Sequence, residues 1–273
     1  MVNLIRAIIL GIVQGLTEFL PISSSGHLVL FQHFFQQGKE QANDISLEAF
    51  LHLGSLLAVV IYFRKDLLDL LKSMFHWKRS LDSSKHYRSR MVIVYLALST
   101  LVTGLIYVLF GDLIKATFAQ PLFVALMLSV TGLILLASDT VRKSDIPASG
   151  LGIIRSIIIG LGQGISMLPG ISRSGTTIAA SLLCGVKRAD AARFSFLLSI
   201  PAILFANLNE IPTLQNLSAY MLTCYIAGAL TAFVSGYIVI EVLIRVIQAS
   251  KLKYFAIYCW LVSALTIAFI LLK

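Results

Sequence analysis

The chain is 273 residues long, 58% hydrophobic and 13% charged, with a formal net charge of +9. About a quarter of the residues of a soluble domain are charged, so a water-soluble globular protein is excluded. A membrane β-barrel would show alternating segments of about ten residues. None occur, and the composition is that of an all-α polytopic membrane protein.

Residues 4–26 read LIRAIILGIVQGLTEFLPISSSG. Arg6 and Glu18 interrupt this first apolar run, and no small-residue cleavage site follows it cleanly, so it does not read as a removable signal. The pattern returns without a gap at residues 153–175 as IIRSIIIGLGQGISMLPGISRSG, with eleven of 23 positions identical at a constant offset of 149. A repeat this far apart in an apolar chain points to a duplicated membrane protein. The copies diverge at polar positions: Glu18 faces Met167, Ser24 faces Arg173 and His27 faces Thr176. The polar chemistry is divided between two halves that are expected to meet.

A bilayer span needs about 20 apolar residues. Residues 92–110, 116–138, 219–240 and 254–272 are apolar runs without any charge. The polar segment 64–90 carries Arg64, Lys65, Lys72, Lys78, Arg79, Lys85, Arg88 and Arg90, which places it in the cytoplasm. Counting from that anchor, 47–63 enters, 92–110 leaves and 116–138 returns, so the loop 139–149 with Arg142 and Lys143 is also cytoplasmic. The basic stretch 187–193 belongs on the same side. Residues 150–186 therefore begin and end on one face, and their Gly-, Pro- and Ser-rich middle breaks a helix. They form a re-entrant hairpin, which is tolerated only where protein or water surrounds the bare backbone. Residues 1–36 do the same from the opposite face. Spans 194–210, 219–244 and 254–272 complete the second half. Each repeat, 1–149 and 150–273, is thus one re-entrant hairpin plus three spans. Three is odd, so the halves form an inverted-topology repeat with sites near the midplane. Spans 47–63 and 194–210 are short, carry His52 and Pro201 respectively, and read as shielded inner helices. The basic residues sit between apolar segments, so the charge calls for no nucleic acid. Cys184, Cys224 and Cys259 are unclustered and read as packing residues.

Gln14 and Glu18 are four apart and share one helix face. A carboxylate inside a membrane segment is costly and marks a functional site by default. A bound divalent cation would justify it, with Gln14 adding a neutral oxygen. The plainer reading is a structural partner for Arg6 or Arg173. Ser23, Ser24 and Ser25 follow a helix break and stand where a cap belongs, and a helix N-terminus with free N–H groups also suits phosphate. Ser172, Arg173 and Ser174 repeat that arrangement, with a guanidinium able to bind phosphate oxygens through two parallel donors. His27 is one turn beyond the serines and can serve as nucleophile, acid or base. His76 and His86 read as loop residues, His33 has no such polar company, and His52 is a candidate pocket residue.

These two loops resemble those of the undecaprenyl-pyrophosphate phosphatase family, the bacitracin-resistance type of membrane enzyme. Its first motif, Glu-or-Gln, three residues, Glu, then Pro-x-Ser-Ser-x-Gly-His, is matched from Gln14 to His27. Its second, Pro-Gly-x-Ser-Arg-Ser-Gly-x-Thr, is matched by Pro169, Gly170, Ser172, Arg173, Ser174, Gly175 and Thr177. The resemblance implies dephosphorylation of undecaprenyl pyrophosphate to the monophosphate, which recycles the lipid carrier of cell-wall synthesis and confers bacitracin resistance. It also implies a divalent cation, Mg²⁺ or Ca²⁺, and a site in the bacterial inner membrane opening to the outer face. By motif position, Gln14 and Glu18 would serve metal and water, and Ser24 and His27 would be at the reacting phosphorus. Ser23, Ser25, Ser172, Arg173, Ser174 and Thr177 would hold phosphate oxygens. Attack by Ser24, by His27 or by a water activated by Glu18 are all open, with Ser24 assisted by His27 favoured. The partners expected are the polyprenyl pyrophosphate and membrane lipid; a homodimer is compatible with the chain.

A polyprenyl-phosphate transporter is the main rival, because inverted repeats with broken helices serve transporters too. The type 2 phosphatidic-acid phosphatases share the Ser-Gly-His of Ser25-Gly26-His27, but need a His after Ser-Arg. Ser172-Arg173 is followed by Ser, Gly, Thr, Thr, Ile and Ala, which rejects them.

Overall fold

The computed structural model describes residues 3–35, 45–75, 84–141, 144–210 and 218–272. His76, Lys78, Arg79, Arg142 and Lys143 lie outside them, as do the side chains of His33, Lys85 and His86. The described residues form eleven α-helices: α1 (Leu4–Phe19), α2 (Ser24–Phe35), α3 (Ile45–Tyr62), α4 (Arg64–Phe75), α5 (Ser84–Thr117), α6 (Pro121–Asp139), α7 (Ile153–Ile165), α8 (Arg173–Leu183), α9 (Arg188–Glu210), α10 (Ala219–Gln248) and α11 (Lys253–Leu271). No strand forms among them beyond one isolated bridge between Ile146 and Val186.

Helices α5, α6, α9, α10 and α11 are each long and apolar enough to cross a membrane, and α3 with α4 passes as a pair bent by 73°. The bend falls at Phe63, where the apolar run gives way to Arg64 and Lys65. The polar stretch that follows is not irregular. Leucines 67, 68, 70 and 71 recur at helical spacing among its charges, so α4 forms, with Leu67 and Leu70 against the core and Leu68 and Leu71 exposed. Helix α5 likewise begins at Ser84, inside the basic segment, and continues through Asp112 and Lys115. It outlasts the apolar run 92–110 because a helix can carry charge once it leaves the hydrocarbon. Half of α9's spanning window is buried inside the protein, against 11% of α5's, so α9 is an inner helix.

The repeat appears in the packing. Helix α1 lies along α10 and α7 lies along α5, each contact depending on glycines at matching repeat positions. A Cβ on Gly11 would lie 2.0 Å from Thr231 Oγ1, and one on Gly160 would lie 2.7 Å from the Ser99 carbonyl oxygen. Small residues are what let membrane helices approach this closely. Helix α6 pairs with α11 through Trp260 Nε1 donating to the Ser129 carbonyl (3.1 Å) and Ser263 Oγ donating to the Ala125 carbonyl (2.6 Å). The largest core cluster joins Phe19, Phe63, Phe194, Phe196 and Leu243.

The second hairpin, α7 and α8, returns to its starting point. Ile146 N–H donates to Gly185 O (3.0 Å) and Lys187 N–H to Ile146 O (2.9 Å). The basic connections also converge at one end of the bundle. Asp66 meets Arg193 at 3.5 Å, Arg188 meets Asp139 at 3.8 Å, and Lys253 N–H donates to Asp139 (3.2 Å).

Candidate active site

Each hairpin breaks at a serine that then caps the next helix. After Pro21, Ser23 takes a left-handed φ of 69° and its Oγ accepts from Gly26 N–H at 3.2 Å. In the second loop Ser172 Oγ accepts from Gly175 N–H at 3.1 Å. Such a cap satisfies one of the orphan amides of a helix start. Gly170, with φ 98°, passes so close to α6 that a Cβ would lie 2.3 Å from the Val124 carbonyl oxygen. Thr131 of α6 pins that loop, donating to Gly170 O (2.8 Å) and accepting from Ser172 N–H (3.0 Å). Thr131 is the eleventh of α6's 19 residues, so the loops meet at mid-helix depth. Their tips touch. A Cβ on Gly26 would lie 3.0 Å from Gly170 Cα, and Ser174 Oγ donates to Leu20 O at 3.2 Å.

Between the tips lies a pocket of about 40 Å³ lined by Thr17, Glu18, Ser23, Ser24, Ser25, Ser166, Ile171, Ser172 and Arg173. Glu18 is its centre. Its Oε1 accepts from Arg173 Nη2 at 2.5 Å. Its Oε2 accepts from Ser24 Oγ at 2.8 Å and from Gln14 Nε2 at 3.0 Å, and His52 Nε2 stands 3.9 Å away. The guanidinium comes from one repeat and the carboxylate from the other, 155 residues apart. Two groups here are buried without a protein partner: Arg173 Nη1 and Gln14 Oε1. Leaving a buried donor or acceptor unpaired costs about 1–3 kcal/mol, and of the two Arg173 lines the pocket while Gln14 lies beside Glu18.

Other residues singled out by sequence are committed elsewhere. Thr177 Oγ1 donates to the Arg173 carbonyl (2.8 Å) and shares a 2.6 Å hydrogen bond with Ser195, so it supports α8 from behind the pocket. Ser174 is paired to Leu20 O and to Ser172 Oγ (3.2 Å). His27 does not bond Ser24. Its Nδ1 donates to Ser23 O (2.8 Å) and its Nε2 is 2.8 Å from Tyr258 Oη. The hydroxyl's polar neighbour is Glu18.

Sequence reasoning passed over Thr17, Ser166, Thr131 and Tyr258. The first two were within reach, since Thr17 and Ser166 are hydroxyl residues at matching repeat positions and both line the pocket. Thr131 and Tyr258 lie in long apolar helices without a local signal. A separate groove of about 490 Å³ between Gln120, Pro121, Leu122, Phe123, Leu126 and Ile270 is apolar and holds none of the motif residues.

Among the described residues no group of three His, Cys, Asp or Glu comes together, so no closed cage of those residues is seen there. The donors present suit an open one. Gln14 Oε1 is an unpartnered buried amide oxygen on the same helix face as the Glu18 carboxylate. Mg²⁺ is commonly held by one or two carboxylates plus substrate phosphates, and this oxygen-only set fits that mode.

The fold and this pocket define a class: a polytopic α-helical membrane protein with a polar site closed between two broken helix hairpins. The chain belongs to the bacitracin resistance protein BacA family, whose model matches residues 7–265. Similar proteins include the undecaprenyl-diphosphatase of Methanobrevibacter smithii, 40% identical over 271 residues and covering 96% of this chain and 95% of that protein. Undecaprenyl-diphosphatase 1 of Shouchella clausii is 40% identical over 273 residues, covering 98% and 96%. The undecaprenyl-diphosphatase of Desulfosudis oleivorans is 42% identical over 272 residues, covering 96% and 97%.

Proposed function

We propose that this protein hydrolyses undecaprenyl pyrophosphate to undecaprenyl phosphate and inorganic phosphate in the bacterial inner membrane, recycling the cell-wall lipid carrier and conferring bacitracin resistance. The observation that carries the reading is the Arg173–Glu18–Ser24 chain, in which a guanidinium, a carboxylate and a hydroxyl from two repeats share one small pocket. The names of the relatives support the substrate. The convergent basic connections mark the cytoplasmic end, the two halves are inverted relative to each other, and the pocket opens to the outer face. The polyprenyl tail lies between helices in lipid-like surroundings.

The terminal phosphate draws Arg173 away from Glu18, and its two-donor edge, including the unpartnered Nη1, takes phosphate oxygens. Ser24 Oγ attacks the terminal phosphorus and its proton passes to Glu18 Oε2, already within hydrogen-bond distance. The Oγ–P bond forms as the bond from phosphorus to the bridging oxygen breaks, releasing undecaprenyl phosphate. A water then cleaves the phosphoserine, giving phosphate and restoring the hydroxyl. Arg173 and the amides at the starts of α2 and α8 stabilise the charge that develops on the phosphoryl oxygens. A divalent cation held by Gln14 Oε1 and the Glu18 carboxylate would supply further charge neutralisation there.

Purified protein in detergent with polyprenyl pyrophosphate and Mg²⁺ is expected to release one phosphate per lipid and to stop when the cation is chelated. Ser24→Ala is expected to lower kcat by more than about 10³-fold. Movement of lipid across liposomes without phosphate release would overturn the reading in favour of a transporter. Topology is tested separately. A Ser80→Cys variant, in a background lacking the native cysteines, should resist impermeant maleimide added to intact cells; rapid labelling would invert the assignment.

A further inference from the structure

We infer that Tyr258 is a positioning residue for the reaction, acting through His27 on the serine loop. The inference rests on the phosphatase reading above. The His27 ring is held at three points. A carbonyl oxygen only accepts, so the 2.8 Å contact to Ser23 O puts the proton of the neutral ring on Nδ1. The lone pair of that ring then lies on Nε2, where Tyr258 Oη is the donor at 2.8 Å. The two rings are also stacked, 5.6 Å between centroids and 9° between planes. A histidine fixed at both nitrogens and on one face cannot turn.

What it holds is the strained part of the loop. Ser23 has a left-handed φ of 69°, a region a serine adopts only when its surroundings impose it. Its carbonyl receives both the His27 backbone N–H (3.2 Å) and the His27 ring. Ser24 is the next residue. Helix α11 reaches the same loop a second time through the adjacent Cys259, whose Sγ lies 3.9 Å from the Pro21 carbonyl oxygen. Tyr258 therefore stands at the end of a line that runs through His27 to Ser23 O and the attacking hydroxyl. It comes from the second repeat, 231 residues from His27, and adds to the cross-repeat ties that Ser174 and Cys259 make on this loop. It does not line the pocket between the two loops.

The test is Tyr258→Phe, which removes one hydroxyl and keeps the ring stack, measured beside Tyr254→Phe one turn away. Steady-state phosphate release from polyprenyl pyrophosphate is expected to show kcat lowered about tenfold, the rate equivalent of one net hydrogen bond, with KM unchanged. Tyr254→Phe should match the wild type. In protein carrying ¹⁵N-labelled histidine rings, His27 should show a single Nδ1-protonated tautomer in the wild type and an averaged pair of nitrogen shifts in Tyr258→Phe. Wild-type kcat in Tyr258→Phe, or a lowered kcat with the His27 nitrogens unmoved, would overturn the inference. Absence of phosphate release from the wild type would instead sink the phosphatase reading itself.

Discussion

Replacing Arg173 by alanine is expected to abolish phosphate release and to destabilise the fold at the same time, through two separable effects. The catalytic effect comes from the loss of both guanidinium edges, one on Glu18 at 2.5 Å and one with no protein partner. Removing one preorganised donor from a developing oxyanion costs about 10²–10³-fold in kcat. Arg173 offers two donors and a full charge, so a loss beyond about 10³-fold is expected. The structural effect comes from stranding Glu18, which is 9% exposed. An ion pair broken from one side costs about 3–5 kcal/mol because the remaining charge is buried alone. The double variant Arg173→Ala/Glu18→Gln separates them. It should recover most of the thermal stability in detergent while staying inactive. Recovery of activity in the double variant would mean that neither the Arg173 guanidinium nor the Glu18 carboxylate takes part in the chemistry.

Gly11→Val is expected to lose the folded protein altogether. The added Cβ would meet Thr231 Oγ1 at 2.0 Å and the Gly228 carbonyl oxygen at 2.3 Å. The hydroxyl can rotate away, but the carbonyl is helix backbone, so α1 must separate from α10. Overpacking costs about 1–3 kcal/mol where side chains can yield, and backbone contact puts this change at or above the top of that range. Helix α1 carries Gln14 and Glu18, so any molecule that still folds should also be inactive, because a displacement near 1 Å costs about 10²-fold. Gly104→Ala is the control. Nothing lies within 4 Å of its added carbon, and alanine favours a helix over glycine by about 1 kcal/mol. Monodispersity on size exclusion and the unfolding temperature read both variants. A Gly11→Val protein as stable as wild type would show that α1 and α10 do not pack as described.

The helix breaks were legible because their causes are local: Pro21 and the serines after it in one hairpin, Pro169 and Gly170 in the other. Glu18 and Arg173 stood out because a charge in an apolar run is costly enough to need a reason. Thr177 illustrates the reverse. Its place in a phosphate-like motif suggested a ligand, yet a threonine inside a helix can satisfy itself on the carbonyl four residues back, and its hydroxyl does so. The amphipathic α4 was hidden in a charge-rich segment because positive charge, not periodicity, dominated its reading.

Short-range chemistry alone was enough to establish a membrane chain, a duplicated hairpin and a set of polar residues that needed a shared purpose. Which of those residues meet was decided by packing. Arg173 finds Glu18, Thr131 pins the Ser172 loop, and Tyr258 rather than Ser24 takes His27, across separations of 155, 41 and 231 residues. Hydropathy and motif spacing act over one or two helical turns. The identity of a partner on a distant helix depends on how glycine seams and loop breaks set the rotation and depth of each helix, which no local pattern records.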